Sequence, residues 1–147
     1  DMRNMIAFYL QRDHKIAVIT DGEGQTNLPL ADAIKLAKQG KIAVEIHTNA
    51  HHTSTASGVE VISMPRRKSQ AQAIARAVST ATGSRLRGDG GWINQSQSAR
   101  GRLGFINQAD GLIVELFFIS NHDELAKYLS VKWLVAKAIA ATIASLA

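Results

Sequence analysis

Lys41-Ile-Ala-Val-Glu-Ile-His-Thr-Asn-Ala50 is a short apolar run that ends in His47 and passes into small polar residues. A second stretch answers it: Gly111-Leu-Ile-Val-Glu-Leu-Phe-Phe-Ile-Ser-Asn121, in which Glu115 sits among aliphatic and aromatic neighbours. Short apolar runs of this kind read as buried strands. Each carries one ionisable group toward its carboxyl end, which is the end where open α/β sheets bind their ligands. His47 and Glu115 are therefore the first candidates for a shared site. A carboxylate in Leu-Ile-Val-Glu-Leu-Phe-Phe is costly to bury unless it is paired or protonated.

Working outward, the chain alternates strands and helices. Met2, Met5, Ile6, Tyr9 and Leu10 have the spacing of an amphipathic helix. Lys15 to Thr20 is a β-branched run read as a strand, broken by Asp21-Gly-Glu-Gly. Pro29 sits near the first turn of a second helix, where a missing N–H costs little, and Gly40 stands where a C-terminal cap belongs. Gly58 to Met64 alternates as a strand, and Ser69 to Thr82 is a helix ended by Gly83. Ser84 to Gly101, rich in Gly, Arg, Gln and Ser, reads as an exposed loop around Trp92, and Leu103 to Ile106 as a short strand. Two helices follow the Glu115 strand, the first opened by Asn121 with acids in its first turn and the second running from Val131. This order predicts one α/β domain over residues 1–147, with a mixed, mostly parallel twisted sheet flanked by helices on both faces.

Composition narrows the chemistry. The chain has no cysteine, so disulfides and thiolate metal sites are excluded, and a metal must be held by imidazole and carboxylate. No unbroken apolar run approaches the roughly 18 residues of a membrane span. The longest apolar helix is interrupted by Lys132 and Lys137. The net charge of +5 is concentrated between Pro65 and Arg102, where Asp89 is the single acid. Such a surface suits a polyanionic partner or is simply a solvated, charge-rich face.

Taken in order, the Ile46-His47-Thr48-Asn49-Ala50 motif, Gly58-Val-Glu-Val, the long helix, the Arg-Gly region and Val114-Glu115-Leu116-Phe117-Phe118-Ile119-Ser120-Asn121 resemble the zinc-dependent N-acetylmuramoyl-L-alanine amidases. These are wall-cleaving enzymes of the autolysin and phage endolysin type, and the resemblance covers nearly the whole chain. It implies that His47 is a zinc ligand and Glu115 the catalytic carboxylate. The reaction would be hydrolysis of the amide between N-acetylmuramic acid and L-alanine of the stem peptide, at the bacterial cell wall or in the periplasm. Peptidoglycan would be the partner. Two departures stand out. Phe117 occupies a place where the family usually has glycine. The first histidine and the glutamate ligand of the family have no counterpart here, and we expect them upstream of Asp1. Zinc lowers the pKa of bound water and polarises a scissile carbonyl. A buried carboxyl is suited to accept that water's proton and return it to the leaving amine.

Other candidates are weighed beside these. Glu115 has a purely structural alternative, an ion pair with Arg100 or Arg102. Glu45 shares a strand face with His47 and is either an outer partner of the imidazole or a surface ion pair. Asn49 either contacts substrate or fixes the loop after its strand. Asn94, Gln97 and Arg100 lie in the loop before the Glu115 strand, and Arg100 is assigned to substrate. Trp92 either stacks on sugar or anchors its loop. His51 and His52 are expected to diverge and stay solvated. The competing functions are a non-catalytic peptidoglycan-binding module of the same fold and a basic nucleic-acid-binding domain, the latter without a recognisable reading motif. A monomer is expected.

Overall fold

The structure, a computed structural model, describes residues 1–22, 24–98 and 103–147. Four strands form one sheet in the order β1-β4-β2-β3. They are β1 (Val44–Asn49), β2 (Glu60–Ser63), β3 (Trp92–Asn94) and β4 (Leu112–Phe118). β1 pairs with β4 and β2 with β3 in parallel, while β2 and β4 are antiparallel. The expected mixed, mostly parallel sheet is present.

Helices cover both faces. On one side lie α1 (Met2–His14), α3 (Lys68–Thr82) and α5 (His122–Leu146). Met2, Ile6, Leu10, Ile74, Val78 and Ile139 from these helices pack on Val61, Leu112, Val114 and Leu116 of the sheet. On the other side α2 (Leu30–Ala37) and α4 (Gly104–Ala109) bring Ile34, Phe105 and Ile106 against Ala43, Ile62 and Ile113. The first cluster is the larger because three amphipathic helices share it. Gly83, at φ +78, ends α3 in the left-handed conformation that glycine adopts without cost.

Several expectations are corrected. Ile16 to Thr20 forms no strand. Ile16 and Val18 pack on the core while Ile19 is exposed, so the side chains alternate as in a strand, but the backbone pairs with none of the four strands. Residues 84–98 are not a plain loop, since they contain β3 and a 3-10 turn, Gln95–Gln97. Residues 104–109 are helical, where a strand was expected after Leu103. The two expected C-terminal helices are present within α5 and meet at a kink at Val131, whose φ of −130° and ψ of 17° are not helical. By length and composition α5 is apolar enough to cross a membrane. Val135, Ala136, Ile139, Ala140 and Ile143 are buried against the core, while Leu129, Trp133 and Leu134 are exposed.

Candidate functional site

His47 and Glu115 are partners in the β1–β4 register. Neighbouring strands lie about 4.8 Å apart and partnered residues share a face, so both side chains rise from the same side of the sheet. The alternation extends the set to Glu45 and Asn49 on β1 and to Glu60, which stands opposite Glu115 across β2 and β4. This is the face whose other half α2 and α4 cover. The apolar half is Ala43, Ile62 and Ile113; the charged half lies toward the carboxyl ends of β1 and β4. The expected juxtaposition of the two candidates is therefore observed.

A bulge shapes the far end of β4. Between His47 and Asn49 the register slips, so that Asn49 pairs with Phe118. The extra residue lets Leu116 and Phe117 both join the α1/α3/α5 cluster, while Phe118 returns to the face of Glu115. Phe117 stacks on Tyr128 of α5, ring centres 4.6 Å apart. Phe117 is thus accommodated by packing away from the charged side.

The chain beyond β4 is tied to the loop after β1. Asn121 caps α5 by accepting from the backbone N–H groups of Asp123 and Glu124, each at 3.1 Å. Glu124 accepts from Phe118 N at 3.0 Å and from Gly58 N at 2.8 Å. Asn121 donates to Ala56 O at 3.2 Å, and His51 N donates to Ser120 Oγ at 3.1 Å. These bonds clamp the turn after β4 to the start of β2, and fix the floor on which Glu115 and Glu60 stand.

Glu115 is 3% exposed. His47 is more open, with 37% of its side chain accessible, and its Nε2 meets the Glu45 carboxylate. Asn49 accepts from Ala50 N through Oδ1 at 3.0 Å, which fixes the loop after its strand. Arg100, and Arg102 as a partner for Glu115, lie outside the described residues. His51 and His52 do not diverge: their rings are 4.1 Å apart, and His51 Nδ1 accepts from Thr53 N at 3.2 Å. Trp92 is a strand residue whose indole N–H donates to Ser63 Oγ at 3.0 Å, with Lys68 over its ring; it is an anchor. Among the described residues no group of three or more His, Asp or Glu is placed to hold a metal ion.

Among the described residues, four of the basic side chains in this stretch are ion-paired. Arg66 and Arg67 each meet Asp110 at 3.0 Å, and Lys68 meets Asp89 at 2.6 Å. Arg87 meets Glu60 at 2.8 Å. These pairs divide part of the positive charge among local partners.

Sequence reasoning missed Glu60, Arg87 and Glu124. Glu60 was visible only as one residue of an alternating strand. Its relation to Glu115 depends on an antiparallel register, and its relation to Arg87 on a contact across 27 positions.

Residues 1–145 match the family profile described as N-acetylmuramoyl-L-alanine amidase. Among solved structures, the "putative N-acetylmuramoyl-L-alanine amidase" of Neisseria meningitidis is 41% identical with a TM-score of 0.91, over 99% of this chain and 79% of that one. The catalytic domain of CwlV, an N-acetylmuramoyl-L-alanine amidase from Bacillus (Paenibacillus) polymyxa var. colistinus, superposes with a TM-score of 0.82 at 22% identity, over 99% and 80% of the two chains. The catalytic domain of the CD27L endolysin, targeting Clostridia difficile, gives 0.72 at 20% identity, over 97% and 78%. The last two show a shared fold. None of the curated proteins matches the chain.

Proposed function

The chain belongs to the N-acetylmuramoyl-L-alanine amidase family, and from that premise we propose that Glu115 is the group that moves the proton in its reaction. The reaction is hydrolysis of peptidoglycan at the amide between N-acetylmuramic acid and L-alanine. The observation that carries the assignment is the register that sets Glu115 beside His47 on one face of two parallel strands.

Amide hydrolysis needs a proton taken from the attacking water and a proton given to the departing nitrogen. A single carboxylate can do both in turn, as base and then as acid. Its burial, at 3% exposed, keeps bulk water from competing for that proton. The water oxygen bonds to the lactyl carbonyl carbon, the C–N bond breaks, and the proton held by Glu115 leaves on the amine of L-alanine. Asn49 and Arg100 are assigned to holding the substrate, Asn49 because it shares the face two positions beyond His47.

Zinc is part of this reading through His47. A catalytic zinc takes about three protein ligands and keeps one position open. His47 supplies an imidazole of the right type, but the described residues offer no group of three. They do not by themselves complete a zinc site. His47 is assigned one ligand position, with the rest of the set outside the described residues.

Digestion of purified cell-wall sacculi tests the reading. New alanine amino groups are expected as the wall dissolves; new reducing sugar ends instead would contradict an amidase. Treatment with a chelator is expected to stop the reaction and added zinc to restore it. Unchanged turnover in excess chelator would remove zinc, and with it the role given to His47.

A further inference from the structure

The antiparallel register of β2 and β4 places Glu60 opposite Glu115. Opposed residues in such a pair have their Cβ atoms about 4.5–5.5 Å apart, and like charges in that relation repel. Both groups are largely withdrawn from water: Glu115 is 3% exposed and the Glu60 side chain 12%.

Arg87 answers this arrangement. Its Nε donates to Glu60 Oε1 at 2.8 Å and its Nη1 to the Ser57 carbonyl at 3.1 Å. The guanidinium lies 4.7 Å from the centre of the Phe118 ring. The backbone holds the same residue, with Arg87 N donating to Val59 O at 3.0 Å. Gly58 makes room for it. At φ +108, a Cβ on Gly58 would come within 2.8 Å of Arg87 Cγ. The planar fork meets a carboxylate, a carbonyl and a ring face at once, which an ammonium cannot reproduce.

We propose that the Arg87–Glu60 pair is a positioning device for Glu115. Arg87 neutralises the carboxylate across the strand and holds it to its own side, so that Glu115 keeps its place beside His47. The inference rests on the reading of Glu115 as the proton-moving group. If the arginine is lost while Glu60 remains, a stranded carboxylate faces Glu115 and pushes it from its working position. Removing Glu60 as well relieves that repulsion.

The test compares Arg87→Gln, Arg87→Lys and the double variant Glu60→Gln/Arg87→Gln on a soluble muropeptide. Glu115→Gln serves as the control, and the unfolding midpoint is recorded for each. Directly coupled neighbours interact strongly enough for a loss of about tenfold in kcat in Arg87→Gln, with KM little changed. Arg87→Lys, which keeps the charge and loses the fork, should fall between it and the parent. The double variant should recover most of the lost kcat. A double variant no faster than Arg87→Gln, or kcat losses that follow the folded fraction alone, would overturn the proposal. Should Arg87→Gln not fold, the double variant decides, since a folded double variant no more active than Glu115→Gln also overturns it. An active Glu115→Gln would instead sink the reading on which this one rests.

Discussion

Along β4, Leu112, Val114 and Leu116 face α1, α3 and α5, whereas Ile113 and Glu115 face the opposite way. All five are buried, so burial alone does not separate them. What differs is the surroundings. The first set meets only apolar side chains of three helices, where close packing supplies stability. Glu115 looks across the sheet at His47 and Glu60, within a layer fixed by ion pairs and backbone clamps. One strand thus provides folding energy on one side and, on the other, holds the carboxylate proposed above as the proton carrier. The bulge after Glu115 keeps the two uses apart by turning Phe117 into the core and Phe118 toward Arg87.

The contrast is open to attack by substitution. Leu112→Ala, on the packed side and fully buried, should cost about 2–5 kcal/mol of unfolding free energy. Denaturant melts would measure the cost, while turnover per folded molecule stays at the parent value. A selective loss of turnover would show that the packed side also reaches the chemistry. Asn121→Ala removes the cap of α5 and should cost about 1 kcal/mol. A smaller cost by thermal melting would mean that Glu124 and Ser120 hold the turn without it.

The smallest effect concerns Tyr128, whose phenol is pushed above its usual range by burial against Phe117. A raised folded pKa gives stability that is fully present below the unfolded value, about 10, and is lost as pH rises through the folded value. The melting temperature should therefore fall above about pH 10, and fall less in Tyr128→Phe. Equal alkaline slopes in the two proteins would remove Tyr128 from that role.

How much of this was legible depends on the range of the interaction. Leu112-Ile-Val-Glu-Leu-Phe-Phe118 declares a buried strand by composition, and α3 declares itself through Ala71, Ile74, Ala75 and Val78. His47 and Glu115 could be paired because each is an ionisable group in an apolar strand and because the motifs resemble a known family. Ile16 to Thr20 misled because side-chain alternation reports packing, not hydrogen bonding. Leu103 to Ile106 misled because four apolar and small residues suit a helix or a strand equally. The break at Val131 was legible as the boundary between two helices. Arg87 and Glu60 were illegible, since neither a register nor a long-range ion pair leaves a local mark. Zinc was read from the resemblance, and the described residues provide His47 alone as an imidazole on the site face.

The most direct test is to measure hydrolysis and unfolding of Glu115→Gln together. The account predicts that turnover of muropeptide falls by about 10²–10⁴-fold, the usual share of a general acid–base group, while the melting temperature moves by no more than about 4 °C. Turnover that persists, or that is lost only in proportion to unfolding, would contradict it.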